Sequence, residues 1–193
     1  MWQYAGANFI LLGDIIEKVS GEPYDVYVTK HLLTPLGMTH TTFDATTIPP
    51  DALVGEHVTN AAGVVEATAL SDSGGFEAPE GGLYSTCDDM TRWMKVHLNR
   101  GELDGARILQ TKSYDTLWKR EAPTGLDEVF GAWIEGVGVG WVVADVNGHL
   151  LVGHPGGGAG QDISYELAPN DHLGVTVLAN WGTEPNAYPA WTS

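Results

Sequence analysis

Apolar residues recur at helical spacing near the start of the chain. Four of them follow one another at intervals of three or four positions, namely Phe9, Leu12, Ile16 and Val19. This spacing is typical of one face of an α-helix, and Gly21 follows as a common C-terminal residue. A second helix is predicted from Pro23, a residue tolerated in a first helical turn, with its end at Pro35.

The chain between residues 40 and 80 shows only weak periodicity. It is rich in Thr, Pro, Gly and Asp, which predicts a long excursion with a short strand pair around 54–65. Helical spacing returns after Ser85, where a capping box begins a helix that Gly101 ends. The buried face of that helix is predicted to carry Met90, Trp93, Met94, His97 and Leu98. A third long helix is predicted over 110–120.

After about residue 130 the apolar positions alternate with polar ones, which is typical of strands. Asn147-Gly148, a strong hairpin signal, and Pro169-Asn170-Asp171 each separate two such segments. The predicted strands are 139–145, 149–153, 162–167 and 173–179. Helices followed by antiparallel strands, without βαβ alternation, predict an α+β fold. We expect a helical lobe over 1–130 and the antiparallel sheet of the same domain over 131–193.

Composition and charge disfavour several classes of binding partner. The 193 residues are 43% hydrophobic and 18% charged, as in globular chains. Nine Lys and Arg against 25 Asp and Glu leave a net charge of -16, which disfavours nucleic acid and anionic membrane surfaces as partners. The apolar stretches are too short to span a bilayer. No basic segment followed by an apolar run begins the chain, so no signal peptide is expected in it; the compartment stays open.

The single cysteine and the histidines give little reason to expect a metal. One cysteine, Cys87, excludes an internal disulfide and a cysteine-based zinc cluster. In its predicted helix it is expected to be a small buried residue. His149, His154 and His172 are possible ligands by type, but hairpin geometry gives no reason for them to converge. We expect neither a metal nor an organic cofactor.

The glycine cluster over 154–160 is the most unusual segment. A phosphate-binding loop would need a helix after it, and here a strand pattern follows. Two interpretations remain open. The cluster is a flexible hairpin loop, or it is a strand edge kept bare of side chains so that the backbone of a substrate can lie against it.

Five segments, in order, resemble motifs of the β-lactamase-related serine hydrolases, which include class C β-lactamases, D-alanyl-D-alanine carboxypeptidases, D-aminopeptidases and lipase-like esterases. They are residues 4–17, residues 34–41 with Pro35-Leu36-Gly37-Met38, residues 81–90 with Gly81-Gly82-Leu83 and Ser85-Thr86, Gly140-Trp141 with Gly153-His154-Pro155-Gly156-Gly157, and residues 174–180. The resemblance implies the β-lactamase/transpeptidase-like fold, represented by its helical lobe and the later antiparallel strands of its sheet.

The resemblance also implies roles for four residues. Tyr4 matches the tyrosine that serves as general acid/base beside a nucleophilic serine. Its pKa, about 10 when unperturbed, would then have to be lowered by nearby cations. His154 matches the position of a lysine or histidine that orients the substrate carboxylate. Gly156 would keep the strand open to substrate, and Gly157 would contribute a backbone N–H to the oxyanion hole.

The sequence departs from the family pattern at two motif positions. Gly6 stands where many members have an asparagine, whose amide commonly contacts the acyl amide of the substrate; Asn8 is out of register to replace it. Pro155 replaces a hydroxyl residue found in many third motifs. Both departures favour a carboxypeptidase-like or esterase-like member over a true β-lactamase.

The nucleophile of the family is not found in this sequence. It is the serine of a serine-x-x-lysine motif that precedes the tyrosine motif, and no lysine here has a serine three places earlier. The chain is therefore expected to be the C-terminal half to two-thirds of a hydrolase that acts on D-peptides, β-lactams or small esters. The alternative is an inactive remnant that binds a small molecule or peptide without turnover. Either would expose a sheet edge, which predicts association.

Overall fold

Helices form the first part of the chain. The computed structural model describes residues 4–70, 75–121, 136–158 and 160–182. Helix α1 is Ala7–Ser20 and α2 is Tyr24–Val28, which runs on into a π-helical turn at Thr29–Leu33. After the excursion come α3 (Ala78–Gly81), α4 (Cys87–Leu98) and α5 (Tyr114–Leu117). Short 3-10 turns occupy Ala45–Thr47, Gly75–Glu77, Thr111–Ser113 and Pro169–Asp171.

Three sheets are present among the described residues. The excursion contributes β1 (His57–Thr59) and β2 (Val65–Ala67), and a small pair follows as β3 (Glu102–Leu103) and β4 (Ala106–Arg107). The main sheet holds β5 (Gly136–Val137), β6 (Val142–Val146), β7 (His149–Gly153), β8 (Gly156–Gly158), β9 (Gln161–Ala168) and β10 (Leu173–Ala179). Strand β11 (Trp181–Gly182) pairs in parallel with β1.

The main sheet is antiparallel throughout. Its order is β10-β9-β7-β6-β5, and β8 pairs with the first residues of β9, next to β7. Both predicted hairpins are present. Asn147 and Gly148 have positive φ, as a tight turn between β6 and β7 requires, and β9 and β10 join through Pro169–Asp171. The α+β fold predicted from the sequence is confirmed, whereas the expected boundary at 130/131 lies outside the described residues.

Helix α4 carries the core on two sides. Met94 packs with apolar residues of α5 and the main sheet, whose buried members are Tyr114, Trp118, Val143, Val152, Tyr165 and Leu167. Val96 packs on the other side with buried residues of the segment 28–38 and of β3, namely Val28, Leu33, Leu36, Met38 and Leu103. The main sheet approaches α4 closely, since a Cβ on Gly174 of β10 would lie 3.0 Å from the sulfur of Met94.

Two expectations drawn from the sequence are corrected. The predicted helix at 110–120 is only a 3-10 turn and the four residues of α5, because the carbonyl of Leu117 accepts the amide of Val139 instead of continuing the helix. Cys87 is exposed rather than buried, since it is the first residue of α4.

Candidate active site

Tyr4 and His154 lie side by side although they are far apart in the sequence. Tyr4 precedes α1, whereas His154 lies in the gap between β7 and β8. The centroids of their rings are 5.9 Å apart, with the ring planes tilted by 42°. The tyrosine is partly exposed and the histidine is half-buried. The fold therefore brings together the two side chains to which the family resemblance gives catalytic and binding roles.

A break in the strand fixes the position of His154. The backbone N–H of His154 donates to the carbonyl of Tyr165 at 3.1 Å, so β7 pairs with β9 up to the break. The ring Nδ1 lies 2.6 Å from the carbonyl oxygen of Pro155. A carbonyl can only accept, so Nδ1 carries the hydrogen and Nε2 of the neutral ring is left as an acceptor. The ring is thereby held in one tautomer.

Residues 156–158 of the glycine cluster form a strand and not a flexible loop. Gly156 and Gly157 are paired with Ile163 and Asp162 of β9, and both glycines are exposed. Within the described residues β9 is the strand that pairs with β8, so the opposite edge of β8 carries no partner strand there. This arrangement is the bare strand edge that the sequence offered as one of two interpretations. Backbone groups on such an edge can bind an extended substrate.

The electrostatic setting of Tyr4 differs from the expectation. The pKa of its phenol is raised above 10, first by partial burial and second by the charge of Glu80. The family role requires a lowered pKa, whereas burial and the charge of Glu80 raise it. A proton-accepting Tyr4 therefore requires a positive charge that outweighs both effects.

Glu80 is the site residue that sequence reasoning missed. It belongs to α3, and its carboxylate lies where a side chain at position 6 would begin: a Cβ on Gly6 would be 1.9 Å from Oε2. The available signal was indirect. Gly6 stands at the position of the asparagine in related motifs, and Glu80 stands directly before the Gly81-Gly82-Leu83 motif, but only the fold shows that these two positions meet.

The other candidate residues lie apart from this site. His149 Nδ1 is 2.8 Å from a carboxylate oxygen of Asp171, beside the second hairpin turn. Across the described ranges, no three His, Cys, Asp or Glu side chains cluster as a metal site would require. In the same part of the chain, every helix is too short or too polar to cross a membrane.

Comparisons with known proteins match this chain to beta-lactamases and penicillin-binding proteins. The family model described as Beta-lactamase matches residues 1–192. Penicillin-binding protein 4 of Amycolatopsis lactamdurans is 28% identical in an alignment of 188 residues that covers 93% of this chain and 47% of that protein. The octameric penicillin-binding protein homologue from Pyrococcus abyssi is 27% identical with a TM-score of 0.79, over 93% of this chain and 39% of that one.

A third comparison supports the fold alone. The D-amino acid amidase from Ochrobactrum anthropi is 21% identical with a TM-score of 0.76, over 100% of this chain and 53% of that chain. The chain thus spans between about a third and about a half of the length of relatives and structures to which it is similar, from 34% to 56%.

Proposed function

The chain belongs to the beta-lactamase family, and on that premise we propose that it forms the part of a serine hydrolase that supplies the acid/base tyrosine and the oxyanion strand. The observation that carries the proposal is the contact of Tyr4 with His154 beside the bare edge of β8. Two matched motifs from distant parts of the sequence meet at one surface, as a shared active site requires.

The proposed reaction is acyl transfer through a covalent intermediate. The oxygen of a serine supplied by a serine-x-x-lysine segment attacks the acyl carbonyl, and its proton passes to Tyr4. The backbone N–H of Gly157 stabilises the oxyanion. When the bond to the leaving amine or alcohol breaks, Tyr4 returns the proton to it. Water then hydrolyses the ester bond between the acyl group and the serine, which releases the acid, and the serine regains its hydrogen.

This scheme requires that the raised pKa of Tyr4 be lowered in the complete site. A phenol above its ordinary value of 10 is a poor proton acceptor at neutral pH. The lysine of the nucleophile motif would supply the positive charge that lowers it. His154, held through Nδ1 by the Pro155 carbonyl, would orient the carboxylate of the substrate only as an imidazolium, which donates a hydrogen bond from Nε2 as well. Gly156, which has no side chain, keeps the approach to this edge open.

The substrate proposed is a small molecule or short peptide with a D-amino acid, a β-lactam ring or an ester. The departures at Gly6 and Pro155 favour carboxypeptidase-like or esterase-like chemistry over β-lactam hydrolysis. Solved neighbours include a D-stereospecific amidohydrolase from Streptomyces and the amidase above, which is consistent with an amide of a D-amino acid. Neither a metal nor a cofactor has a role in this scheme.

A second candidate is a binding protein without turnover. In such a protein the pKa of Tyr4 stays raised, so the phenol keeps its proton at neutral pH. Exposed apolar side chains on β10 fit the association predicted for such a chain: Leu173, Val175 and Val177 are all more than half exposed, and among the described strands β10 pairs with β9 alone.

The experiment that separates the two candidates is labelling with a fluorophosphonate. The protein expressed from its whole reading frame should be labelled on one serine and should hydrolyse a D-amino acid amide. Replacing Tyr4 by Phe should lower kcat roughly 100-fold or more. The matched control is Tyr27→Phe, which removes the phenolic oxygen of a tyrosine in α2 whose ring centroid lies 4.5 Å from that of His31. Absence of label and of turnover would favour the binding protein.

A further inference from the structure

The missing side chain at position 6 is replaced in space by a carboxylate. A Cβ built on Gly6 would lie 1.9 Å from Oε2 and 3.0 Å from Cδ of Glu80. These distances are far below any contact that a real side chain makes, so Glu80 can occupy this place only because residue 6 is glycine. The place is the one from which the asparagine of related motifs reaches the acyl amide of a substrate.

The short helix α3 brings Glu80 to this position. Pro79, its neighbour, packs against α1 at Gly13, where a Cβ would lie 2.2 Å from the proline Cγ. Ala78 at the start of α3 is buried. Two glycines on α1 and before it thus let α3 approach closely, and the approach fixes the backbone from which the Glu80 side chain extends.

The carboxylate of Glu80 is available to a ligand. The residue is exposed, and within the described part of the chain no salt bridge involves it. The negative charge of Glu80 is the second cause, after partial burial, that raises the pKa of the Tyr4 phenol. Glu80 therefore lies beside the proposed catalytic tyrosine with its hydrogen-bonding capacity open to a bound molecule.

An amide and a carboxylate select different partners. An asparagine side chain can donate to a carbonyl oxygen, whereas an ionised carboxylate can only accept. A carboxylate beside the acyl amide of a substrate would repel the carbonyl oxygen of that amide and attract N–H groups, most strongly an ammonium. The exchange of an amide at position 6 for the Glu80 carboxylate thus inverts the preference of this part of the site.

We propose that Glu80 is a specificity-determining residue that binds a free ammonium group next to the acyl carbon of the substrate. The inference rests on the proposed function, and it names the substrate class as amides or esters of amino acids with an unblocked amine. N-acylated peptides and penicillins with an acylamino side chain would be disfavoured, because their amide carbonyl would meet the carboxylate.

The test compares two ligands that differ only at the amine, D-alaninamide and N-acetyl-D-alaninamide. Dissociation constants are measured by NMR titration of the protein expressed from its whole reading frame, so the result does not depend on turnover. The wild type should bind the free amine about tenfold more tightly, the size expected of a charge-assisted hydrogen bond at a partly exposed site. Glu80→Gln should remove this preference.

Two further variants make the result specific. Glu121→Gln removes the same charge from an exposed pair with Lys119 and should retain the full preference. Gly6→Asn keeps the charge of Glu80 but displaces its carboxylate, since that carboxylate is the flexible end of a side chain; it should lose the preference as Glu80→Gln does. Circular dichroism of each variant shows that it is folded, and the Gly6→Asn result decides the matter if Glu80→Gln does not fold.

The outcomes separate this inference from the proposed function. Equal affinity of the wild type for the two ligands, failure to bind either, or an unchanged preference in both Glu80→Gln and Gly6→Asn would overturn the role of Glu80. Hydrolysis of D-alaninamide is followed in parallel. Binding selectivity without hydrolysis would contradict the enzyme and leave Glu80 as the ligand-selecting residue, whereas hydrolysis of both amides at equal kcat/KM would support the enzyme and contradict the inference.

Discussion

The buried imidazole of His97 should make the fold sensitive to mild acid. Its ring lies on α4 at 4% exposure, with Nδ1 2.9 Å from the hydroxyl of Tyr114. The rings of Trp93 and Trp141 pack against it at 4.5 and 5.0 Å. Burial lowers the pKa of His97 from 6.5 to about 4, because the charged ring would lose its hydration in this aromatic cluster.

The sign and size of the effect follow from this gap. Above pH 6.5 the imidazole is neutral in the folded and unfolded chains, so it adds no pH dependence. Between 6.5 and about 4 the unfolded chain takes up a proton that the folded chain does not bind, and the free energy of unfolding falls. At about 1.36 kcal/mol for each pH unit, the gap predicts a loss of about 3 kcal/mol on reaching pH 4.

Urea unfolding followed by tryptophan fluorescence can isolate this contribution. The variant His97→Asn places a neutral group near the Tyr114 hydroxyl and does not titrate. Between about pH 7 and about pH 4 the wild type should lose about 3 kcal/mol more stability than the variant. His40→Asn, which removes an exposed histidine, should follow the wild type. Parallel pH dependence in the wild type and His97→Asn would refute the reasoning.

Three further predictions concern packing and exposure. Gly153→Ala should lower the free energy of unfolding by about 1–3 kcal/mol in urea titrations, because its Cβ would lie 2.3 Å from the carbonyl oxygen of Tyr165; an unchanged midpoint would contradict the strand register. Asp89→Ala should cost about 1–3 kcal/mol in the same assay, since it removes the buried acceptor 2.8 Å from the Thr41 hydroxyl. Cys87 is exposed, so Ellman's reagent should modify it in the native protein at a rate close to that of the unfolded chain, and strong protection would contradict its placement.

Local chemistry explains which parts of the fold could be predicted. The β6–β7 hairpin depends on Asn147-Gly148, two residues that accept positive φ, and the helix near Ser85 depends on a capping side chain. The hydroxyl of Thr86, one residue further on, accepts the amide of Asp89 at 3.2 Å. Such signals lie within a few residues of the elements they specify, so one sequence is enough to find them.

Tertiary contacts explain the parts that could not be predicted. The helical pattern at 110–120 ends early because Val139, from a distant segment, donates to the carbonyl of Leu117. In the site, the motifs identified Tyr4 and His154, whose roles stay predictions, but the meeting of Glu80 with Gly6 depends on the packing of α3 on α1, which no local pattern encodes.

The measurement that tests the central proposal most directly is fluorophosphonate labelling of the protein from its native source, followed by intact mass and peptide mapping. The account predicts a mass well above 20.7 kDa and one labelled serine, in a serine-x-x-lysine peptide that precedes Tyr4. A native mass equal to 20.7 kDa without any label would contradict it, because the chain would then contact its ligand with Tyr4 and His154 but hold no nucleophile.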